Sequence, residues 1–459
     1  MNETTHRCPQ CTAPLSLETC GVFFTFTEIK GVKQTEDEDS TKGNKFRLLK
    51  EGREEFSRKI DEHMAKFNFD ENAKKGLFYS TEKDLSEDKD LTWNKVTIDR
   101  NAENFSGQIH CDAGLSFNEA AYPACHHCGY PIPNDFFSYK EVFVIGLTGA
   151  ANSGKSVYLQ SITLQDCAQL SEFASWEYEF SYEGLETLGV QKHYIDASRT
   201  LDRFGILPEK TPPGIYPPLL ISMKHTPLEG GESTRYLISI TDIAGESFML
   251  DTKTDGEFAA QRHFLRNSAG CIFAVSVDEI LKDKNKNTGK DSKIYEIPLD
   301  EYSNVVVDNR FVNIISVLNY ELNRGAKIRG VNESKIPIAF VITKADTLAE
   351  RDVDDYKKIY PDSEDSYFKG VSDVEGKGDP IRQFLPKRRQ HAFAKKPVAY
   401  FAVSATGGNP ESAKYGEIDE TCDEQKKNDP CWYLREGINP RFVYEPFLWL
   451  IEKLVAQGE

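Results

Sequence analysis

A glycine-rich segment at residues 149–156, GAANSGKS, constrains the fold of this chain more than any other feature. It follows an apolar run at residues 142–145, so the sequence predicts a strand, a tight turn and the start of a helix. Backbone N–H groups at such a turn can converge on phosphate oxygens, and Gly149 and Gly154 allow the main chain to come close to them. The segment therefore predicts a site for a nucleoside triphosphate.

Two polar side chains at the end of this segment have distinct expected roles. We expect Lys155 to reach the β and γ phosphates and the Ser156 hydroxyl to bind Mg²⁺. The residues predicted to contact the nucleotide here are Gly149, Asn152, Ser153, Gly154, Lys155, Ser156 and Val157.

The elements predicted after this segment alternate between strands and helices. Strands are expected at residues 219–223, 236–241, 271–277, 337–343 and 398–404, and helices up to residue 169 and at residues 305–323 and 440–455. This alternation predicts an α/β fold with a mostly parallel sheet flanked by helices. Ligands of such sheets bind beyond the carboxyl ends of the strands, where three further motifs lie.

The strand predicted at residues 236–241 leads into the sequence DIAGE at residues 242–246. Asp242 could hold Mg²⁺ through a water molecule, and the amide of Gly245 could contact the γ-phosphate. A segment of this kind would change its conformation with the state of the nucleotide.

The strand predicted to end at Thr343 leads into Lys344 and Asp346. Asp346 could accept hydrogen bonds from N1–H and the exocyclic amine of guanine, while Lys344 packs its aliphatic stem across the base. Adenine lacks this pair of donors, and a buried carboxylate without a partner would cost several kcal/mol. The sequence therefore predicts a preference for guanine, and Ser404 and Ala405 after the last strand could place the Ala405 amide near O6.

The motifs GxxxxGKS, DxxG, TKxD and SA occur in this order, each at the end of its own predicted strand. Together they resemble the P-loop GTPases of the translation-factor and Ras-like class, over roughly residues 140–457. The resemblance implies a P-loop GTPase sheet, GTP and GDP as ligands and Mg²⁺ as cofactor. It also implies GTP hydrolysis, with Lys155 among the catalytic residues, and a conformational change that a protein partner reads.

The resemblance further implies a threonine that binds Mg²⁺ ahead of the second strand. Thr211 is our candidate for this metal ligand and catalytic residue, because it lies in a proline-rich segment shortly before residue 219. Thr200 and Ser198 are alternatives.

Glu246 stands where the Ras-like pattern has a glutamine that orients the attacking water. A carboxylate there could accept a hydrogen bond from that water, or it could form a salt bridge with a basic neighbour. We therefore expect slow hydrolysis with Glu246 as a catalytic candidate, stimulated by a partner's arginine or by Arg199 or Arg203.

Two cysteine pairs share the pattern CxxCxxP followed by a branched aliphatic residue. Four thiolates at tetrahedral corners satisfy Zn²⁺, so the predicted zinc ligands are Cys8, Cys11, Cys125 and Cys128. Cys20, His110 and Cys111 are alternative ligands.

The long separation between the two cysteine pairs predicts that the chain has three parts. It far exceeds the roughly 15 to 20 residues usual between such pairs, so an inserted module is expected between them. We predict a zinc ribbon at residues 1–17 and 119–138, and an inserted α+β module at residues 18–118 with a strand at residues 22–27. A P-loop GTPase domain follows at residues 139–459, with insertions at residues 171–210, 282–303, 350–395 and 407–438.

The net charge and the short apolar runs of the chain disfavour some classes of binding partner. A net charge of −17 disfavours nonspecific binding to nucleic acid or to anionic membranes. No apolar run approaches the roughly 18 residues that span a bilayer, and no signal peptide opens the sequence. We expect a cytoplasmic protein without membrane insertion.

A narrower resemblance concerns the zinc knuckles, the DxAGE sequence, the long insertions and the ending at residues 439–450. These features are similar to bacterial double-GTPase families of conflict or antiviral defence systems. That resemblance implies a regulatory GTPase whose protein partner is a second GTPase or an effector subunit. The alternative is a nucleotide-binding scaffold with little or no hydrolysis.

Overall fold

A computed structural model describes the protein at residues 6–26, 58, 61–62, 65, 76–80, 93–111, 119–149, 152–164, 176–181, 192–208, 217–227, 232–243, 264–276, 309–330, 335–344, 396–408, 410–440 and 442–458. The chain divides into two compact units, each discontinuous in sequence. The first comprises Met1–Val142, Leu170–His193 and Ile215–Ser239, and the second comprises Phe143–Gln169, Tyr194–Gly214 and Ile240–Glu459.

Small antiparallel sheets occupy the start of the first unit. Their strands are β1 (His6–Arg7), β2 (Pro14–Leu15), β3 (Gly21–Phe26), β4 (Gly76–Tyr79), β5 (Trp93–Asp99), β6 (Ser106–Cys111) and β7 (Glu119–Ala124). β1 pairs with β2, β5 pairs with β6, and β3 lies between β4 and β7. The sequence of β3, GVFFTF, is rich in the aromatic and β-branched residues that favour strands, and β3 coincides with the strand expected at residues 22–27.

The largest sheet is mixed and has seven strands. They are β8 (Glu141–Gly149), β9 (Trp176–Ser181), β10 (Leu219–Pro227), β11 (Thr234–Asp242), β12 (Gly270–Ser276), β13 (Ile338–Thr343) and β14 (Val398–Ala402). Their order in the sheet is β14-β13-β12-β8-β11-β10-β9. Within the second unit β8, β12, β13 and β14 run parallel, with Ile272 opposite Leu147 and Ala339.

The parallel strands are buried along nearly their whole length. Every residue of β12 and β13 is buried, and so is every residue of β8 after Glu141. Parallel strands covered on both faces have continuous apolar runs, which is why these strands could be predicted from hydropathy. The α/β arrangement expected from the sequence is therefore present.

Five helices are described: α1 (Lys155–Leu164), α2 (Lys192–Phe204), α3 (Asn309–Arg329), α4 (Tyr415–Ile418) and α5 (Glu445–Gly458). α5 packs its apolar side against β12, β13 and β14 and buries Phe447, Leu450 and Ile451. In the described part of the chain, none of these helices is long and apolar enough to cross a membrane.

Two regions assigned only as insertions contain regular structure. β9 and α2 fall within residues 171–210, and a hairpin of β15 (Glu411–Lys414) and β16 (Pro430–Tyr433) falls within residues 407–438. The sequence of β9, WEYEFS, alternates aromatic and polar residues, and this pattern is the signal that could have predicted it.

Candidate functional site

The turn between β8 and α1 adopts the strained backbone that its glycines allow. Gly149, Asn152 and Gly154 have φ values of 150°, 64° and 78°. A Cβ atom on Gly149 would lie 2.0 Å from the carbonyl oxygen of Ala274, so only glycine fits there. Ser153 is buried, and its Oγ has no hydrogen-bond partner among the described residues. This buried polar atom fits a site built for a polar ligand.

Lys155 and Ser156 extend from the first turn of α1 toward neighbouring segments. The Lys155 Nζ donates to the carbonyl oxygen of Gly149 at 3.3 Å, which folds the side chain back over the turn. The Ser156 Oγ donates to Asp242 Oδ2 at 2.6 Å. Two of the three residues predicted to hold Mg²⁺, Ser156 and Asp242, therefore lie side by side, at the start of α1 and at the carboxyl end of β11.

Helix α2 adds a tyrosine to this neighbourhood that the sequence did not predict. Burial raises the pKa of Tyr194, and the nearby charge of Asp242 raises it further. The hydroxyl of Thr163 on α1 bonds the hydroxyl of Ser198 on α2, which joins the two helices.

Thr343 links the end of β13 to the glycine-rich turn. Its hydroxyl lies 2.5 Å from the carbonyl oxygen of Ser153 and 3.2 Å from that of Val275. A hydroxyl has a single proton to donate, and the shorter distance favours Ser153. Lys344 follows with a φ of 57°, a left-handed conformation. The first residue of the predicted guanine motif therefore lies against the predicted phosphate site.

Ser404 and Ala405 lie shortly after β14, and Ala405 contacts α1. The amide of Gly407 donates to Ser404 Oγ at 2.9 Å, which closes a tight loop. The Ser161 Oγ of α1 donates to the carbonyl oxygen of Ala405 at 2.7 Å. Val157 lies on α1, one residue beyond Ser156.

Four predicted site residues lie outside the described residues: Thr211, Gly245, Glu246 and Asp346. The alternatives to Thr211 are described and lie on α2. The Thr200 hydroxyl donates to the Asp196 carbonyl oxygen at 2.9 Å, and the Ser198 hydroxyl faces Thr163. Arg199 is largely exposed near Asp196, and Arg203 lies over the ring of Phe204.

A second candidate site, in the first unit, brings the four predicted zinc ligands together. The ligand atoms of Cys8, Cys11, Cys125 and Cys128 all lie within 4.8 Å of one another. The Sγ atoms of Cys8 and Cys128 are 3.8 Å apart, and those of Cys11 and Cys125 are 3.6 Å apart. Tetrahedral bonds of about 2.3 Å to zinc would separate sulfurs by about 3.8 Å. The cluster therefore has the dimensions of a metal site and could bind a metal such as zinc.

The two cysteine pairs have the same backbone hydrogen bonds. Cys8 N donates to Ala13 O at 2.8 Å, and Cys125 N donates to Tyr130 O at 2.9 Å. The amides of Thr12 and Gly129 donate back to the carbonyl oxygens of Cys8 and Cys125 at 2.9 and 2.7 Å. Thr12 and Gly129, one residue past the second cysteine of each pair, both have positive φ, 64° and 79°.

The amides of the first turn point at sulfur, as expected for a thiolate ligand. Gln10 N and Cys11 N donate to Cys8 Sγ at 3.4 and 3.5 Å. Burial raises the pKa of Cys8, whereas hydrogen bonds from the neighbouring thiols, first of all Cys11, lower the pKa of Cys125. A bound cation would stabilise all four groups as thiolates.

Of the alternative zinc ligands, Cys20 has other contacts. Cys20 Sγ contacts the carbonyl oxygen of Leu17 at 3.2 Å and the guanidinium of Arg100 at 3.1 Å. His110 and Cys111 lie on β6. Among the described residues, no other group of three or more histidine, cysteine or carboxylate side chains could hold a metal ion.

A comparison with known proteins finds no family model that matches the chain and no curated protein with detectable similarity to it. The nature of both sites therefore rests on their residues and geometry.

Proposed function

We propose that the protein is a P-loop GTPase: it binds and hydrolyses GTP and acts as a molecular switch. The observation that carries the proposal is the contact between Ser156 and Asp242, 2.6 Å apart, next to a turn whose glycines hold positive φ. A hydroxyl and a carboxylate at this place fit Mg²⁺, which prefers oxygen ligands. Thr343, the last residue of β13, contacts the same turn at the Ser153 carbonyl oxygen and supports a base site beside the phosphate site.

The side chains of this unit have separable roles in the proposed site. The amides of the turn and Lys155 would bind the phosphates, while Ser156 and Asp242 would hold Mg²⁺, which neutralises charge on the phosphate oxygens when bound. Asp346 would select guanine, with Lys344 against the base and Ala405 at O6. Thr211, Gly245 and Glu246 would respond to the γ-phosphate and its attacking water.

Competition binding tests the proposal. Unlabelled GTP and GDP should displace labelled GTP from the wild-type protein, whereas ATP should compete at least about a hundredfold less well, because adenine lacks the donor pair. Lys155→Ala should abolish GTP turnover. Displacement by ATP as efficient as that by GTP would refute the guanine site.

A nucleotide-binding scaffold is the second candidate function, and Glu246 is the residue that favours it. A carboxylate beside the γ-phosphate repels charge unless it is protonated or paired. Single-turnover hydrolysis by wild type and by Glu246→Gln separates the two functions. Tight binding of GTP without turnover in both proteins would favour the scaffold, and an unchanged measurable rate would exclude Glu246 from the mechanism.

We further propose that the four cysteines bind Zn²⁺ and form a zinc ribbon. Four thiolates complete a tetrahedral shell and leave no coordination position for water, so the metal would have a structural role. Metal analysis of protein purified without added zinc tests this assignment, and one zinc per chain is expected.

The partner in the proposed switch would be another protein. The resemblance to bacterial double-GTPase families extends the proposal to a regulatory subunit of a defence system, acting with a second GTPase or an effector. Isolation of the native protein, followed by identification of its bound nucleotide and co-purifying proteins, tests this extension. Recovery of the protein alone under native expression would count against it.

A further inference from the structure

A buried hydroxyl of α1 contacts the loop proposed to read the base. The Ser161 Oγ lies 2.8 Å from the carbonyl oxygen of Val157 and 2.7 Å from that of Ala405. The first contact is available to any serine within a helix. The second joins residues 244 positions apart in the sequence, and because a hydroxyl has one proton to donate, the shorter distance favours Ala405. Ser161 has no exposed surface, so water does not compete with this contact.

The loop at residues 404–408 is held from other directions as well. The Gly407 amide donates to Ser404 Oγ at 2.9 Å, and the Asn439 amide donates to the carbonyl oxygen of Thr406 at 2.9 Å. A Cβ atom on Gly407 would lie 2.1 Å from the carbonyl oxygen of Asn439. The loop therefore has little freedom at Ser404 and at residues 406–407, and Ser161 holds the residue between them.

These contacts determine the orientation of Ala405. Ser161 donates to the carbonyl oxygen of Ala405, and the side chain of the preceding residue, Ser404, accepts from the Gly407 amide. These two contacts, one on each side of the Ala405 Cα, reduce the freedom of the backbone that carries the Ala405 amide. A donor held in place before the ligand arrives pays less ordering entropy on binding, which increases affinity and selectivity.

We propose that Ser161 is a positioning residue for recognition of guanine O6, acting through the backbone of Ala405. The inference rests on the proposed function, because it assigns a role within the proposed guanine site. The inference places a residue that influences base selectivity on α1, the helix that follows the glycine-rich turn. Ser161 itself does not touch the nucleotide.

The test compares three diphosphates on wild type and Ser161→Ala. GDP has all the proposed contacts, 6-thio-GDP replaces O6 by a weaker acceptor, and IDP keeps O6 but lacks the exocyclic amine. We expect Ser161→Ala to bind GDP about fivefold more weakly and to lose its preference for GDP over 6-thio-GDP by a similar factor. The preference for GDP over IDP, which reports on Asp346, should stay unchanged.

Tyr444→Phe is the matched control, because the Tyr444 hydroxyl donates to the carbonyl oxygen of Ile162, the next residue of α1. It removes a buried hydroxyl from the same helix without touching the loop, so the preference for GDP over 6-thio-GDP should be retained. An equal loss of the preference for GDP over 6-thio-GDP in both variants would overturn the inference. So would equal weakening of the binding of all three nucleotides by Ser161→Ala, or unchanged binding of all three.

The wild-type measurements separate this inference from the proposed function. Binding of no guanine nucleotide would remove the proposed function and the inference together. Binding of GDP with no preference over 6-thio-GDP would remove only the inference, because O6 would not be read through a hydrogen bond.

Discussion

The cysteine cluster and the glycine-rich turn differ in the sequence separation of the residues that form them. The cluster joins cysteines 114 and 120 residues apart, whereas the turn takes its shape from consecutive residues between β8 and α1. Each cysteine pair has local hydrogen bonds in its own turn, but the two pairs gain a common partner only when a cation is bound. The turn depends instead on the conformations that its own residues allow. Distant ligands therefore make a site sensitive to loss of any one of them, while a local motif is sensitive to backbone geometry.

Cys8→Ser should have the largest effect, because it breaks the cluster itself. Structural zinc sites contribute on the order of 10 kcal/mol of apparent binding free energy in isolated domains, so we expect loss of the metal and of several kcal/mol of stability. Zinc content and thermal unfolding measure both. Cys422→Ser is the control, since Cys422 is half-buried and lies outside the cluster. Wild-type zinc content and melting temperature in Cys8→Ser would contradict the metal site.

Gly149→Ala should have the second-largest effect, because it changes the backbone geometry of the glycine-rich turn. The new Cβ would lie 2.0 Å from the Ala274 carbonyl oxygen, so the turn must shift, at a cost of about 3 kcal/mol, and GTP binding should be lost. Urea unfolding and nucleotide binding measure these effects. Gly330→Ala is the matched control, because Gly330 also has positive φ, 65°, but has no atom within 4 Å of its added Cβ. If both variants lose GTP binding equally, the close approach at Gly149 is not the cause.

Thr343→Val tests a contact that the turn makes with another strand. Loss of the hydroxyl leaves the carbonyl oxygen of Ser153 without this donor, and we expect about 1–2 kcal/mol of destabilisation and roughly tenfold weaker GDP binding. Isothermal titration and urea unfolding measure the two quantities. Thr226→Val should change neither, because the Thr226 hydroxyl bonds Ser233 at an exposed position. Full GDP affinity in Thr343→Val would show that this contact does not support the site.

Thr12→Gly should have the smallest effect, and its direction is the opposite. Thr12 holds a left-handed conformation that costs a β-branched residue about 1–2 kcal/mol, while the equivalent position of the other pair is Gly129. Loss of the Thr12 hydroxyl contact with Cys11 O offsets part of the gain, so we expect about 0.5 kcal/mol of stabilisation with unchanged zinc content. Gly129→Thr should destabilise by about 1–2 kcal/mol. Equal melting temperatures for both variants and wild type would show that the two pairs tolerate this strain.

The parallel strands β8, β12, β13 and β14 were predictable because each is a nearly continuous apolar run. They overlap the predicted strands, as β10 and β11 also do, and the differences lie at the ends. β9 and α2 fall in a stretch that the sequence predicted only as an insertion, although the alternation of aromatic and polar residues in β9 was a signal for a strand. Their pairing with β10 and with α1 determines their structure more than local hydropathy does.

Much of the candidate nucleotide site was also predictable, since its motifs are short and lie at strand ends. Ser156 and Asp242 come together, as the shared edge of a parallel sheet requires. Tyr194 and Ser161 were not predicted, because a tyrosine or a serine within a helix has no pattern that marks a role. The nucleotide-binding roles of all these residues stay predictions, and Thr211, Gly245, Glu246 and Asp346 also lie outside the described residues.

Short stretches of the sequence were enough to predict the glycine-rich turn, the buried strands and the identity of the four cysteines. Each of these features depends on residues that are close in sequence and on their backbone preferences. The convergence of Cys8 with Cys128, of Ser156 with Asp242 and of Ser161 with Ala405 came only from the folded chain. Each of these contacts joins segments at least 86 residues apart, and their geometry depends on how strands pair and helices pack rather than on any local preference.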